Sequence, residues 1–223
     1  MNPSICGREA FQVKDGSSEL MLEGVPDTLE HMMKRILLTV TGFLALPLVA
    51  SAHTGAGPTN GFFAGFGHPL GGLDHMLAMV AIGLWASQLG GRSLWLVPLA
   101  FLGVMFMGGI LGMSGIAIPF VEGGILVSVV ALGLLVAGGV RMPVVAGMLL
   151  AGGFALFHGA AHGMEMPGDS SGALYASGFV LSTAALHAVG LATGLLMGRL
   201  SIPTLTRACG LAVAVIGLTL MFL

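Results

Sequence analysis

Phe157-His158-Gly159-Ala160-Ala161-His162-Gly163-Met164-Glu165 sets two imidazoles and a carboxylate into an otherwise apolar run. On a helix, residues i, i+4 and i+7 share a face, so His158, His162 and Glu165 project to the same side. Two imidazoles and a carboxylate converging in this way make half of a divalent-metal site. The glycines of the same stretch bear on the fold. Gly159 and Gly163 end a series of small residues, Gly147, Ala151, Ala155, Gly159 and Gly163, spaced four apart. Such a ridge lets a neighbouring membrane helix approach closely. The stretch therefore reads as the end of a membrane-spanning helix with a polar face and a packing ridge.

The whole chain fits that reading. Its 223 residues are 56% hydrophobic and 8% charged, with a mean hydropathy of +0.98. Soluble domains carry about a quarter charged residues, so the expected fold class is an all-α integral membrane protein. The formal net charge is −2, and no basic patch points to nucleic acid. Cys6 and Cys209 lie far apart, which indicates neither a disulfide framework nor a thiolate metal site. The implied partners are membrane lipid and a divalent metal ion. A homo-oligomer is compatible with the sequence, but nothing in it selects one.

Residues 1–32 are polar and mixed in charge, unlike everything after them. Met33-Lys34-Arg35, the apolar run Ile36 to Val49, and Ala50-Ser51-Ala52 have the three parts of a secretory signal peptide. Residues 33–52 are accordingly expected to be cleaved, and 1–32 to be an upstream extension with Met33 as the true initiator. The competing expectation, an uncleaved helix, needs a longer apolar run than this one. Cleavage after Ala52 would expose His53, whose amine and imidazole could chelate a metal together. Residues 53–223 then form a six-helix transmembrane domain. Its spans run over about 70–89, 93–111, 121–140, 143–163, 173–199 and 204–223. Gly61–His68 is either an extension of the first span or a half-helix broken at Pro69, and Gly71-Gly72 also favours a break.

Charge placement orients the bundle. Arg92, Arg141, Arg199 and Arg207 fall at alternate connections, which the positive-inside rule makes cytoplasmic. A cleaved signal puts the mature N-terminus outside, in agreement. Asp74, Glu122, Glu165 and Asp169 then lie at or near the outer ends of spans. A second small-residue ridge, Gly190, Gly194 and Gly198, runs along the fifth span.

A second polar cluster, His68-Pro69-Leu70-Gly71-Gly72-Leu73-Asp74-His75, opens the first span from outside. With Glu122 at the start of the third span, the candidate ligands are His68, Asp74, His75, Glu122, His158, His162 and Glu165. A buried acid in a span costs about 2.5–3.5 kcal/mol, so Asp74 should face protein or water. Imidazole plus carboxylate without thiolate suits nickel, cobalt, zinc, manganese or iron and disfavours Cu(I). Met76, Met164 and Met166 near the motifs read as apolar packing. His187, near the middle of the fifth span, is open between an inner ion station, a proton acceptor and a structural histidine bonded to Ser182 or Thr183.

Two classes besides transport are compatible with these residues. One is an intramembrane zinc hydrolase with an open zinc position. The other is a haem-binding electron carrier using His75 with His158 or His187 as axial ligands.

From the signal segment to Leu223 the chain resembles the HupE/UreJ family. The resemblance rests on the spacing of His68, Asp74 and His75 and on the Phe157–Glu165 motif. It implies a nickel permease of the bacterial cytoplasmic (inner) membrane, multi-pass, accessory to [NiFe] hydrogenase or urease and not an enzyme. It implies no prosthetic group, with Ni2+ as cargo and Co2+ or Zn2+ as alternatives. It also implies functional roles for His68, Asp74, His75, His158, His162 and Glu165, with Phe101 and Glu122 as further candidates.

Overall fold

The computed structural model describes residues 61–166 and 171–223. The polar extension 1–32, the expected signal peptide 33–52, His53 and Asp169 lie outside the described residues. The described chain is all helical. The helices are α1 (Gly61–Gly71), α2 (Leu73–Leu89), α3 (Ser93–Met113), α4 (Val121–Gly138), α5 (Val144–Met164), α6 (Gly172–Arg199) and α7 (Pro203–Leu220).

Local chemistry accounts for most of the boundaries. Gly90 and Gly139 follow α2 and α4 with φ of 70° and 60°, a left-handed conformation that glycine adopts without a Cβ penalty. Pro203 opens α7 at its first turn, where a missing N–H costs nothing. Five helices, α3 to α7, are each long and apolar enough to cross a membrane, while α1 and α2 pass that test only as a pair bent by 83°.

The bend falls at Gly72 and not at Pro69, which stays inside α1. A Cβ on Gly72 would come within 2.8 Å of Asp74 Oδ1 and 3.1 Å of His75 Nδ1. Glycine leaves that space to the Asp74–His75 pair, so the helix is interrupted where the polar groups need room.

Helix α2 is the hub and packs against every other helix. Met79, Ile82 and Trp85 are fully enclosed along it. Around it α3 packs on α5, α4 on α7, and α6 on both α1 and α2. The ridge from Gly147 to Gly163 is buried. A Cβ on Gly159 or Gly163 would overlap the backbone carbonyl of Met105 or Gly109 on α3, so these positions hold the two helices at backbone contact. On α6, Gly190 meets the Val80 carbonyl of α2 in the same way and Gly194 lies against the Ser87 side chain, but Gly198 has open space beside it. The second ridge thus ends at Gly194, one turn earlier than the sequence spacing suggests. Leu99, Leu149, Leu181 and Leu211 point outward, as a lipid-facing surface requires.

Charges separate to opposite ends. Trp85 Nε1 donates to the Val140 carbonyl at 3.1 Å, and Gln88 Nε2 donates to the Val136 carbonyl at 3.0 Å. These bonds pin the end of α2 to the end of α4, so the turns carrying Arg92 and Arg141 lie together. The Arg207 guanidinium lies against Gly139 at that same end, although Arg207 itself belongs to α7 and not to a connection. Asp74 and Glu122 occupy the first turns of α2 and α4, and Glu165 caps α5 at its C-terminus. All three acids stand at the other end.

Candidate metal centre

The site begins with how α1 is held. Gly65 sits against the Tyr175 carbonyl, and Gly178 against the Phe62 carbonyl. This contact lays α1 on α6 and carries His68 over the end of α5. His68 Nε2 is 2.8 Å from Glu165 Oε2, and the His68 ring meets His162 edge-on with centroids 4.7 Å apart. One donor atom from each of His68, His162 and Glu165 lies within 4.8 Å of the others. Tetrahedral ligands at about 2.1 Å from an ion stand about 3.4 Å apart. No pair need therefore close by more than about 1.4 Å to hold one ion, within the reach of side-chain motion.

Burial deepens inward from this mouth. The Glu165 side chain is 55% exposed and that of His68 29%, whereas His162 is 3% and His158 0% exposed. His162 contacts His75 at 4.2 Å between centroids, and His75 contacts His158 at 4.8 Å. The imidazoles form a series, His68, His162, His75, His158, drawn from α1, α5 and α2.

Hydrogen bonds fix the available lone pairs. Asp74 Oδ1 accepts the His75 backbone N–H at 2.8 Å and lies 2.9 Å from His75 Nδ1. A carboxylate only accepts, so Nδ1 carries the proton and Nε2 the free lone pair. Ser128 has one hydroxyl proton, and the Ile125 carbonyl takes it at 2.6 Å. His158 Nε2, 2.8 Å from Ser128 Oγ, must then donate, which leaves the lone pair on Nδ1. Both free nitrogens, and both of His162, are buried without a partner. Buried polar atoms are nearly always paired. Four orphan nitrogens on three adjacent imidazoles are what a cation-binding path requires.

The sequence motifs are thus regrouped in space. His162 and Glu165 join His68, while His158 stands one turn deeper with His75. Asp74 acts on the His75 ring, in the manner of a carboxylate that orients a metal-ligating histidine. Glu122 is exposed at the same end and makes no hydrogen bond to the histidines among the described residues. Phe101 is fully buried, with its ring 5.7 Å from His158 and 5.2 Å from His187.

Three further residues complete the lining: Ser128, Tyr175 and Phe179. The Tyr175 ring lies 5.8 Å from His68 and that of Phe179 lies 4.3 Å from His162. Ser128 is the one hydroxyl in the α4 sequence and Tyr175 the one tyrosine of the chain, signals that were present but unweighted. The face-to-edge contact of His75 with His158 leaves no slot between them for a porphyrin plane, which removes that pair as axial haem ligands.

Fold and site together define a multi-pass helical membrane protein with a buried histidine cluster and a candidate cation site. The HupE / UreJ protein family model matches residues 41–220. The chain is 45% identical over 185 residues to Protein HupE of Rhizobium leguminosarum bv. viciae, covering 83% of this chain and 96% of that protein. The chain belongs to the HupE/UreJ family. Membership implies a permease-like accessory transporter of nickel or cobalt, linked to hydrogenase or urease, and not an enzyme. No solved structure matches the chain significantly.

Proposed function

We propose that this protein takes up Ni2+ across the bacterial cytoplasmic membrane and supplies it to hydrogenase or urease maturation. The observation that carries this reading is the set of His68, His162 and Glu165 donors within 4.8 Å of one another, continued inward by orphan nitrogens on His75 and His158. In this reading the bent α1–α2 pair is the first of six spans. The arginine-bearing end is cytoplasmic by the positive-inside rule, so the histidine end opens to the periplasm.

The ion arrives hydrated at Glu165 and His68, where exposure is greatest. His162 replaces part of its water shell, and His75 and His158 offer the next lone pairs. Several sites of moderate strength let a cation enter and still leave. Imidazole and carboxylate suit Ni2+ and Co2+ alike, and geometry rather than ligand type separates them.

Nickel accumulation in cells with and without the gene tests this, with cobalt and zinc measured in parallel. His162→Ala should reach the membrane at normal level and accumulate little nickel. Full activity in His162→Ala, or no gene-dependent uptake of any of the three metals, refutes the proposal.

A further inference from the structure

His187 lies beyond the cluster that captures the ion. It stands on α6 in a stripe of residues four apart, Tyr175, Phe179, Thr183 and His187. Spacing of four keeps them on one face, and the upper members already line the path, Tyr175 beside His68 and Phe179 beside His162. A helical side chain leans toward the N-terminus, so the His187 ring is directed back over Thr183.

His187 is 3% exposed, Thr183 0% and Ser182 1%. Both His187 ring nitrogens, Thr183 Oγ1 and Ser182 Oγ are buried without hydrogen-bond partners. A histidine retained for structure would close on one of those hydroxyls, and it does not. Leaving such groups unpaired costs about 1–3 kcal/mol each. Three orphan polar atoms on one helix face, with Ser182 Oγ one residue round the helix, need a compensating ligand. The backbone there is rigidly placed, since Gly83 of α2 packs directly on the His187 carbonyl.

Phe101 adjoins both this group and the outer cluster. Its ring lies 5.7 Å from that of His158 and 5.2 Å from that of His187, and it offers no donor or acceptor.

We propose that His187, with the hydroxyls of Thr183 and Ser182, forms an inner binding station for the transported divalent cation, with the Phe101 ring adjoining both it and the outer histidines. This rests on the transport function proposed above. One imidazole and two neutral hydroxyls hold a cation more weakly than two imidazoles and a carboxylate, so the order of stations favours inward release. The ion moves from the His158 lone pair to His187 past the Phe101 ring.

The test uses the full chain, purified into lipid nanodiscs for metal binding and expressed in cells for uptake. The binding probe is Co2+ alone, counted by equilibrium dialysis, and the uptake probe is Ni2+. The central variant is His187→Gln, which keeps a neutral side chain able to hydrogen-bond but is a poor metal ligand. Expected is one bound Co2+ fewer per chain at saturation, unchanged affinity for the ions that remain, and Ni2+ uptake reduced at least tenfold. Thr183→Val, nearly isosteric and without the hydroxyl, should lower uptake severalfold and keeps the question open to test if His187→Gln does not insert. Wild-type binding number and uptake in His187→Gln overturn the inner station. Lost uptake with an unchanged number of bound ions overturns it as well, because His187 then governs movement and not binding. Absence of metal uptake by the unmutated protein is a separate result, and it defeats the transport function itself.

Discussion

Ser128→Ala removes one oxygen atom from the middle of α4 and should weaken metal binding out of proportion to its size. Ser128 and His158 are both fully buried, and the hydroxyl oxygen accepts His158 Nε2–H at 2.8 Å. Without it the N–H has no acceptor, which costs about 1–3 kcal/mol. The ring is also released to rotate or to move its proton to Nδ1, where the free lone pair now sits. Loss of a group that orients a metal-ligating histidine typically costs 10–100-fold in affinity, or about 1.4–2.8 kcal/mol at 1.4 kcal/mol per tenfold. The two routes give the same range. The cavity is too small to add much.

Titration calorimetry of Ni2+ into the purified protein reads the affinity, with a thermal melt alongside. Ser128→Cys serves as the control that preserves volume while weakening the hydrogen bond. Wild-type Ni2+ affinity in Ser128→Ala, at an unchanged melting temperature, would show that the His158 lone pair is not held for a metal.

Other perturbations separate capture, packing and orientation. His68→Ala removes one of the three mouth ligands and should lower Ni2+ uptake at least tenfold while leaving membrane levels intact; unimpaired uptake at low external nickel would remove His68 from capture. Gly159→Ala drives a methyl into the Met105 carbonyl, an overpacking of about 1–3 kcal/mol that should reduce melting temperature and yield, whereas Gly153→Ala, with open space beside it, should be neutral. Equal stability of those two variants would contradict the ridge. In a Cys6→Ser, Cys209→Ser background, a cysteine introduced beside Arg141 should resist impermeant labelling from the periplasm, and labelling in intact cells would invert the orientation. Mass spectrometry of the mature protein should begin at His53; an intact segment from Met33 would mean the expected signal is an anchor.

Spans α3 to α7 were legible because each is a long apolar run closed by glycine, proline or arginine, and the observed ends fall within a few residues of the expected ones. The α1–α2 break was legible only as a choice. Pro69 is the stronger local breaker, yet the break falls at Gly72, where only a residue without a Cβ leaves room for the Asp74–His75 pair, and that need is visible only once the pair has formed. His158, His162 and Glu165 could be placed on one face from spacing alone. Their partners could not, because helical periodicity says nothing of how α1 folds across α6. Ser128 and Tyr175 were single ordinary residues until the fold set them against imidazoles.

The division of labour among the helices follows from the same facts. The helices that hold the deeper imidazoles, α2 and α5, are clamped to their neighbours by glycine contacts at backbone distance. His68, at the mouth, comes from α1, a short helix joined to α2 through a single extended glycine and clamped to α6 in the same way, Gly65 against the Tyr175 carbonyl and Gly178 against the Phe62 carbonyl. Any closure of the mouth donors on one ion would then fall to side chains, of which Glu165 and His68 are the more exposed. In the proposed transport, these exposed side chains would adjust where the hydrated ion first arrives, and the enclosed imidazoles of His162, His75 and His158 would receive it next.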